Sequence, residues 1–427
     1  MKRSLTLFLL MIIAVFGVGF AQAQDDAVIT PQACAEGGTL TMRVWDENWA
    51  VVIQQAIDLW KAEYCPEGDV VLEVVPWGQY WDLLRNNAAA GDLPDIFNIS
   101  QDRFPFYRDN EAILNMQPYF DAASIDTTLW GSGMVDPYRV EGDLYAAPVN
   151  WDTIAIFYNV DMYEAAGLEL PTDDWTWDDF AEDARALTNA EADVYGAAVY
   201  SEFQAGYPNW IAATGTEPIV DAARTECTLD NEGSLEALNF LNGLYTEGVM
   251  PSISTLGGTS ADDAFNFWLS QRVAMVSGGS WKLPAAFEQT TFNWDVVQLP
   301  RNPETERSRS ILHSVGYVAA ANTDLPDLAA NFIVFLASDE GQRFFAEAGG
   351  VAPANPGLQD EWVAAFDSEK NIQAFVNATV DSQGVTIFSE LGDVPNELVI
   401  NIFDLNMPVE EAVSQACATI DEALAGQ

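Results

Sequence analysis

Carboxylates are the chemically active side chains that this sequence offers in quantity, with 65 Asp plus Glu against 17 Lys plus Arg and a single histidine, His313. The short motifs of phosphate-binding loops, dinucleotide-binding turns, serine-hydrolase elbows and HExxH zinc sites do not occur in it. We therefore expect no cofactor and no metal centre. His313 lies where residues 311–315 predict the start of a strand, which favours a structural or hinge-lining role over a catalytic one. A glycosidase needs only two carboxylates, so that class of enzyme stays open.

Tryptophan is the second informative group, with 14 residues, many of them beside polar residues in predicted loops. Indole rings stack on the apolar faces of sugars, while carboxylates and amides bind the hydroxyl groups. Core packing is the alternative for any single ring, but it is weaker for rings that follow strand ends, where α/β sheets place their ligands. The candidate stacking rings are Trp45, Trp49, Trp77, Trp81, Trp151, Trp210 and Trp281.

The formal net charge of −48 is spread along the chain and does not form a tail. Such a surface repels nucleic acid and anionic membranes, so we expect neither as a partner. A ligand of this protein is expected to be uncharged or cationic. Most of the excess acid is interpreted as a solvated surface.

The first 23 residues have the pattern of an export signal. Lys2 and Arg3 precede an apolar run over 5–20, and Ala21-Gln22-Ala23 offers the small residues of a cleavage site. The run is short for a stable membrane span, and Cys34 lies too far downstream to carry a lipid anchor. We therefore expect cleavage near Ala23 and a mature protein that is soluble in a periplasm or outside the cell envelope.

Four cysteines in an exported chain favour disulfides over free thiols. None of them is spaced as CxxC, and three pairings are possible. We predict Cys34 with Cys65 and Cys227 with Cys417, because Cys34 precedes the first predicted strand and Cys65 closes the helix that returns beside it.

The elements that must position these residues alternate between strand and helix. TLTMRVW (39–45) predicts a strand, the apolar residues from Ile53 to Tyr64 recur at helical spacing, and a second strand is predicted over 70–75. A helix that ends at Gly91 and a third strand over 95–100 follow. This order predicts an open α/β sheet that begins with parallel strands.

Turn and cap residues mark several later elements. Thr176 with Asp179 approximates a capping box, and Ser338 is predicted to cap a helix that ends at Gly349-Gly350. A helix over 261–271 and a strand over 273–276 are predicted to precede a loop at Gly278-Gly279.

Five segments in a characteristic order resemble a known family. They are AAAGDLPDIFNISQDRF (88–104), LYAAPVNWDTIAIFYNVDMYEAAGLELP (144–171), WTWDDFAEDARALT (175–188), FNFWLSQRVAMVSGGSW (265–281) and FIVFLASDEGQRFFAEAGG (332–350). Over nearly the whole mature length the chain resembles a family 1 extracellular solute-binding protein, the carbohydrate receptor of an ABC importer, and is similar in layout to maltodextrin-binding proteins.

The resemblance implies a periplasmic-binding-protein type II fold, in which two α/β lobes are joined by a multi-strand hinge and enclose the ligand between them. We expect residues 27–146 and 302–353 to form lobe one, and 147–301 and 354–427 to form lobe two. The predicted crossovers lie at Ala147-Pro148, near Leu299-Pro300 and near Pro353.

The resemblance also implies a set of ligand-binding residues. The family's Asp-Arg pair after the third strand corresponds to Asp102-Arg103, but the tryptophan of maltodextrin receptors three residues earlier is replaced by Asn98 or Ile99. A polar position after the first strand corresponds to Asp46 and Glu47, without the lysine often found there. The remaining matches are Trp151 and Asp152 after the first hinge strand, Tyr207 and Trp210 as an aromatic pair, and Trp281, whose loop is expected to turn at Gly278-Gly279.

The function expected from these features is a non-enzymatic receptor that closes around a sugar and presents it to a membrane permease and its ATPase, acting as a monomer. An exported carbohydrate-active enzyme with paired carboxylates is one alternative. A receptor of the same fold for a non-sugar solute, such as a polyamine or a metal chelate, is another, although the many aromatic residues argue against it.

Overall fold

A βαβ unit opens the chain, as the alternation of apolar residues predicts. The computed structural model describes residues 31–200, 203–221, 223–349, 352–384 and 391–425, so the predicted signal segment 1–23 lies outside the described residues. The strands in this part of the chain are β1 (Gly38–Val44), β2 (Gly68–Val74), β3 (Ile96–Ser100), β4 (Arg139–Val140), β5 (Asp143–Leu144), β6 (Ala147–Asp152), β7 (Ile154–Asn159), β8 (Tyr195–Ala198), β9 (Val273–Gly279), β10 (Trp294–Gln298), β11 (Ile311–Ala319), β12 (Ala352–Pro353) and β13 (Gln383–Gly384).

Helices connect and cover these strands. They are α1 (Pro31–Glu36), α2 (Glu47–Leu59), α3 (Trp77–Ala90), α4 (Phe104–Asp109), α5 (Gln117–Ala122), α6 (Ser132–Val135), α7 (Val160–Ala166), α8 (Trp177–Leu187), α9 (Tyr207–Ala213), α10 (Glu232–Thr246), α11 (Ile253–Leu256), α12 (Ala261–Leu269), α13 (Leu283–Gln289), α14 (Pro326–Ala337), α15 (Asp339–Ala348), α16 (Gln359–Ala365), α17 (Gln373–Asn377), α18 (Val394–Phe403) and α19 (Val409–Ala425). A π-helical turn, Trp60–Tyr64, continues α2.

Most of the strands belong to two separate sheets. The first sheet has the order β12-β6-β11-β3-β1-β2, with β13 beside β11, and the second has the order β10-β7-β9-β8. In the first sheet β1 pairs in parallel with both β2 and β3, whereas β11 runs antiparallel to β3 and β6. The open parallel start predicted from the sequence is therefore observed, and later strands add antiparallel pairs to it.

The chain passes between the two sheets at one residue after β6. Asp152 ends β6 in the first sheet, and Ile154 begins β7 in the second, so Thr153 lies at the crossing. The Ile154 amide donates to Ser310 Oγ at 2.7 Å, and Ser310 directly precedes β11, which returns the chain to the first sheet. The two connections are thus joined by a buried hydrogen bond.

The predicted lobe boundary at 147 requires correction, because β6 belongs to the first sheet. Pro148 suggested a break, but β6 continues through it, and the register shifts between Val315 and Gly316 opposite Pro148. A proline has no amide proton to donate, and such an irregularity accommodates it inside a sheet. The residue that changes sheet is Thr153.

The segments that follow the other two predicted boundaries still contact elements that precede them. Asn302 donates to Glu236 in α10, and Thr305 donates to the Ala213 carbonyl in α9, so the connection before β11 packs with the helices beyond the first crossing. Helix α16 contacts α15, and its Trp362 contacts Trp151 of the first sheet. The division of the whole chain into two lobes that move against each other stays a prediction.

The helix caps predicted from the sequence are observed in the structure. Thr176 and Asp179 form a complete capping box at α8, and Ser338 accepts from the Gly341 amide at the start of α15. Helix α3 ends at Gly91 with φ of 69°, in the left-handed region that glycine enters without strain. The predicted loop at Gly278-Gly279 is wrong, because both residues belong to β9.

Both predicted disulfides are confirmed. Cys34 is bonded to Cys65 and Cys227 to Cys417, with Cα–Cα distances of 4.9 and 5.3 Å. The first bridge joins α1 to the residue that follows the π-helical turn, and the second joins a loop before α10 to α19. No helix among the described residues is both long and apolar enough to cross a membrane.

Candidate functional site

A cavity of about 400 Å³ lies at the edge of the first sheet and is closed from the other side by residues that follow the first crossing. Strands β1 and β3 are parallel neighbours, so their carboxyl ends meet at the same edge, where open α/β sheets bind ligands. Trp45 and Asp46 follow β1, and Ser100, Gln101 and Asp102 lie at the end of β3. All five line the cavity.

Asp46 lines this edge as the N-cap of α2. Its carboxylate accepts hydrogen bonds from the Asn48 and Trp49 amides at 2.8 and 3.0 Å. Burial raises the pKa of Asp46, and the two amide hydrogen bonds oppose that rise. The residue is therefore held in one orientation by the helix it caps.

Asp152 is the second cavity carboxylate and is nearly inaccessible to solvent. It accepts a hydrogen bond of 2.6 Å from Ser280 Oγ, which comes from the other side of the cavity. Burial raises the pKa of Asp152 to about 7, the Ser280 hydrogen bond opposes this rise, and the charge of Asp46 adds to it. Near pH 7 this carboxyl is therefore divided between its neutral and its charged form, and a nearby cation would favour the charged form.

His313 lies beside Asp152 on the neighbouring strand, since the two are register partners in the pairing of β11 with β6. The loss of solvent around its ring lowers the pKa of His313 to about 4, against opposing effects of Asp102 and a hydrogen bond with the Gln204 backbone. The imidazole is therefore neutral near pH 7. Its ring packs edge-on against Trp281 at 6.1 Å between centroids. The sequence-based interpretation of His313 as a hinge-lining residue agrees with this position.

Two cations near the cavity are already paired with carboxylates. Arg103 Nε lies 3.1 Å from Asp102, and the guanidinium carbon lies 5.5 Å from the centroid of the Trp81 ring. Lys282, a buried residue that lines the cavity, forms an ion pair with Asp262 at the start of α12.

Within the described residues no group of three or more His, Cys, Asp and Glu side chains is arranged to hold a metal ion.

A cluster of tryptophans forms one wall of the cavity. Trp45 lies 5.3 Å from Trp49 and 5.1 Å from Trp77, measured between ring centroids, and all three line the cavity. Trp81 contacts Trp45 from behind at 5.4 Å. Trp77 is 39% exposed, so an apolar ring surface remains available to a ligand.

Trp281 supplies an aromatic ring from the opposite side of the cavity. It lies just after β9, and Gly279 makes room for it, because a Cβ atom at that residue would lie 1.8 Å from the indole ring. Gly279 has φ of −82°, so it provides room for the indole ring and does not form a tight turn. The predicted reason for this glycine is therefore corrected, while the predicted placement of Trp281 at the cavity agrees with the structure.

Comparison with known proteins now identifies the family. The family model described as bacterial extracellular solute-binding protein matches residues 60–374. This chain belongs to the bacterial extracellular solute-binding protein family. Two relatives in Bacillus subtilis are similar to this solute-binding protein: the maltodextrin-binding protein MdxE, 24% identical over 74% of each chain, and the galactooligosaccharide-binding protein, 20% identical over 84% of this chain and 83% of that one.

A solved structure shows the same fold. The ABC substrate-binding protein Lmo0181 from Listeria monocytogenes, in complex with cycloalternan, has a TM-score of 0.81 and 20% identity, and the match covers 91% of this solute-binding protein and 99% of that chain. The predicted periplasmic-binding-protein fold and the resemblance to extracellular solute-binding proteins are thus confirmed.

Several residues predicted to bind ligand do not line the cavity of this solute-binding protein. Trp151 is fully buried, donates to the Pro353 carbonyl at 2.8 Å and packs against Trp362. Successive side chains of a strand point to opposite faces, so Trp151 enters the core because Asp152 faces the cavity. Glu47 is exposed, and Arg103 reaches the cavity only through Asp102.

The predicted aromatic pair Tyr207 and Trp210 also requires correction. Every residue of α9 is buried, and Trp210 is 2% exposed. Its ring packs on Phe240 at 5.4 Å and on Phe180 at 5.1 Å. Trp210 belongs to a core between α8, α9 and α10, Tyr207 is fully buried in the same helix, and neither residue lines the cavity.

Three further cavity residues are not predicted from the sequence. Gln204, Asp262 and Lys282 line the site from beyond the crossing. Lys282 directly follows Trp281, and a lysine three residues after β9, a strand that is apolar except for Ser277, is a signal that could have found it. Gln204 and Asp262 carry no such signal, because they lie in an ordinary loop and at an ordinary helix start.

Proposed function

We propose that this solute-binding protein binds a sugar or oligosaccharide in the cavity and delivers it to an ABC importer. The observation that carries the proposal is the combination of indole rings from both sides of the cavity with carboxylates between them. Ring faces cover the apolar surface of a pyranose, and charged acceptors form the stronger hydrogen bonds to its hydroxyl groups. The relatives named for maltodextrin and galactooligosaccharide binding support the same class of ligand.

Closure of two lobes around the sugar is part of this proposal. Asp152 and His313 lie beside the two connections between the sheets, and Trp281 and Ser280 contact them from the other side. A ligand held by both sides has a higher affinity for the closed state, as a population shift requires. The closed form is what the permease and its ATPase would recognise.

The proposed function also concerns the export of the protein and its oligomeric state. We infer that residues 1–23 are removed near Ala23, that the mature protein acts outside the cytoplasm, and that it is a monomer which acts without turnover of the sugar. N-terminal sequencing of the exported protein tests the cleavage, and light scattering tests the monomer.

Titration calorimetry with maltodextrins, galactooligosaccharides and their monosaccharides tests the ligand class. At least one saccharide should bind, with a change in tryptophan fluorescence because four indole rings line the cavity, and it should be recovered unchanged. A matched control is Trp362→Phe, which alters a buried ring outside the cavity. Saccharides that all fail to bind at millimolar concentration would contradict the proposal.

A further inference from the structure

The charges that line the cavity do not balance. Asp262 and Asp102 each have a cationic partner, Lys282 and Arg103 respectively. Asp46 and Asp152 have no cation within ion-pair distance among the described residues. Within the described part of the chain, Asp46 accepts hydrogen bonds from the Asn48 and Trp49 amides, and Asp152 accepts one from the Ser280 hydroxyl.

Two unpaired carboxylates that line one cavity are costly when both are ionised, and Asp152 is buried as well. An uncompensated buried charge is unfavourable unless a proton or a cation neutralises it. Burial raises the pKa of both residues, and the charge of Asp46 further raises the pKa of Asp152. The site therefore favours the arrival of positive charge.

Neutral groups of the cavity add unused acceptors. Gln101 is 7% exposed, its Nε2 donates to the Leu312 carbonyl at 2.7 Å, and its Oε1 has no partner in the part of the chain that the structure describes. The Nε2 atom of His313 likewise has no partner there, and it is an acceptor in the neutral ring when the other nitrogen donates to the Gln204 backbone. An ammonium group has three donors and no acceptor, which matches this inventory.

We propose that the preferred ligand is a saccharide that carries a protonated amine, bound in the cavity that Asp46 and Asp152 both line. The inference rests on the proposed function and narrows its substrate class. The indole walls favour a ring-bearing ligand over a linear polyamine, because Trp45 and Trp281 offer flat surfaces to a pyranose and also attract a nearby cation through their ring faces.

The test compares sugars that differ only in the substituent at C2 of each ring. Glucose, galactose and cellotriose are titrated beside their amino counterparts, glucosamine, galactosamine and the glucosamine trimer, and beside the N-acetyl forms. At least one amino sugar should bind about tenfold more tightly than its hydroxyl counterpart, since hydrogen bonds to a charged group exceed neutral ones by roughly that factor. The N-acetyl form should lose this advantage.

Variants then locate the effect. Asp152→Asn and Asp46→Asn should each reduce the preference for the amine more than they reduce the affinity for the hydroxyl sugar. Asparagine is a good N-cap, so Asp46→Asn retains the start of α2, and it carries the test even where Asp152→Asn does not fold. Glu410→Gln, an exposed residue of α19, is the control for an equal change of net charge.

The outcomes separate this inference from the proposed function. Hydroxyl or N-acetyl sugars that bind as tightly as every amino sugar would overturn the inference and leave the proposed function standing. Spermidine that binds more tightly than every sugar would overturn the saccharide class itself. If neither these sugars nor the neutral oligosaccharides bind, the proposed function fails.

Discussion

Replacement of Trp281 by alanine should weaken saccharide binding about tenfold and leave the protein folded. An aromatic side chain buries about 150–250 Å² in all, and a sugar that covers part of the ring would remove about 60 Å² of it from water. At about 25 cal/mol per Å² this contribution is ~1.5 kcal/mol, which corresponds to a factor of about ten in Kd. Stability should change little, because Trp281 is half-buried at the cavity and its ring contact there is the edge of His313.

Trp210→Ala is the matched control, because it removes the same ring from a fully packed position. The loss of a buried tryptophan costs about 3–5 kcal/mol of the free energy of unfolding, whereas the cavity should keep its affinity in the protein that remains folded. Calorimetric titration and urea unfolding of both variants give the two quantities separately. Unchanged affinity in Trp281→Ala, or a stability loss as large as that of Trp210→Ala, would refute the assignment of Trp281 to the ligand.

Three further changes probe the site and its support. Gly279→Ala should weaken saccharide binding without a direct contact to the ligand, because the new Cβ displaces the Trp281 ring. Gly243→Ala, whose Cβ meets no neighbouring atom, is the control, and an equal loss of affinity in both variants would show a non-specific effect. Asp152 should make the ligand-free protein less stable as pH rises from about 4 to about 7, because its pKa of about 7 in the folded state exceeds the ~3.9 of the unfolded state. In Asp152→Asn the melting temperature should therefore fall less steeply over this pH range than in the wild type. Equal slopes in the two proteins would contradict this prediction. Removal of the disulfide between residues 227 and 417, separated by 190 positions, should lower the free energy of unfolding by ~5 kcal/mol according to the loop-entropy relation. Removal of the disulfide between residues 34 and 65, separated by 31 positions, should lower it by ~4 kcal/mol. Urea unfolding of the two double serine variants measures both losses, and the reverse order would contradict the relation.

Elements that depend on local chemistry were predictable from the sequence. A capping box needs only Thr176 and Asp179 at the right spacing, and the helix end at Gly91 needs only a residue that enters the left-handed region. The first disulfide also depends on local order, because Cys34 and Cys65 flank one βα unit. In each case the interaction that decides the structure lies within a few residues or one supersecondary unit.

Elements that depend on distant partners were not predictable in the same way. A crossover is predicted at Ala147-Pro148, but whether a strand continues through a proline depends on the register of β11, more than 160 residues further along the chain. Trp210 was interpreted as a stacking ring, but its burial depends on Phe180 and Phe240 in two other helices. A single sequence does not specify which neighbours a loop aromatic will find.

The alternation of side chains along β6 explains why Asp152 lies in the cavity although the neighbouring Trp151 does not. Trp151 and Asp152 are adjacent in β6, and only one of two adjacent strand residues can face the cavity. Asp152 takes that face, lies opposite His313 of β11 and immediately precedes the residue at which the chain changes sheet. Asp152 therefore contacts the cavity and also adjoins the connection that any movement between the sheets must bend. A charge that binds Asp152 would act directly on the part of the fold where closure would occur.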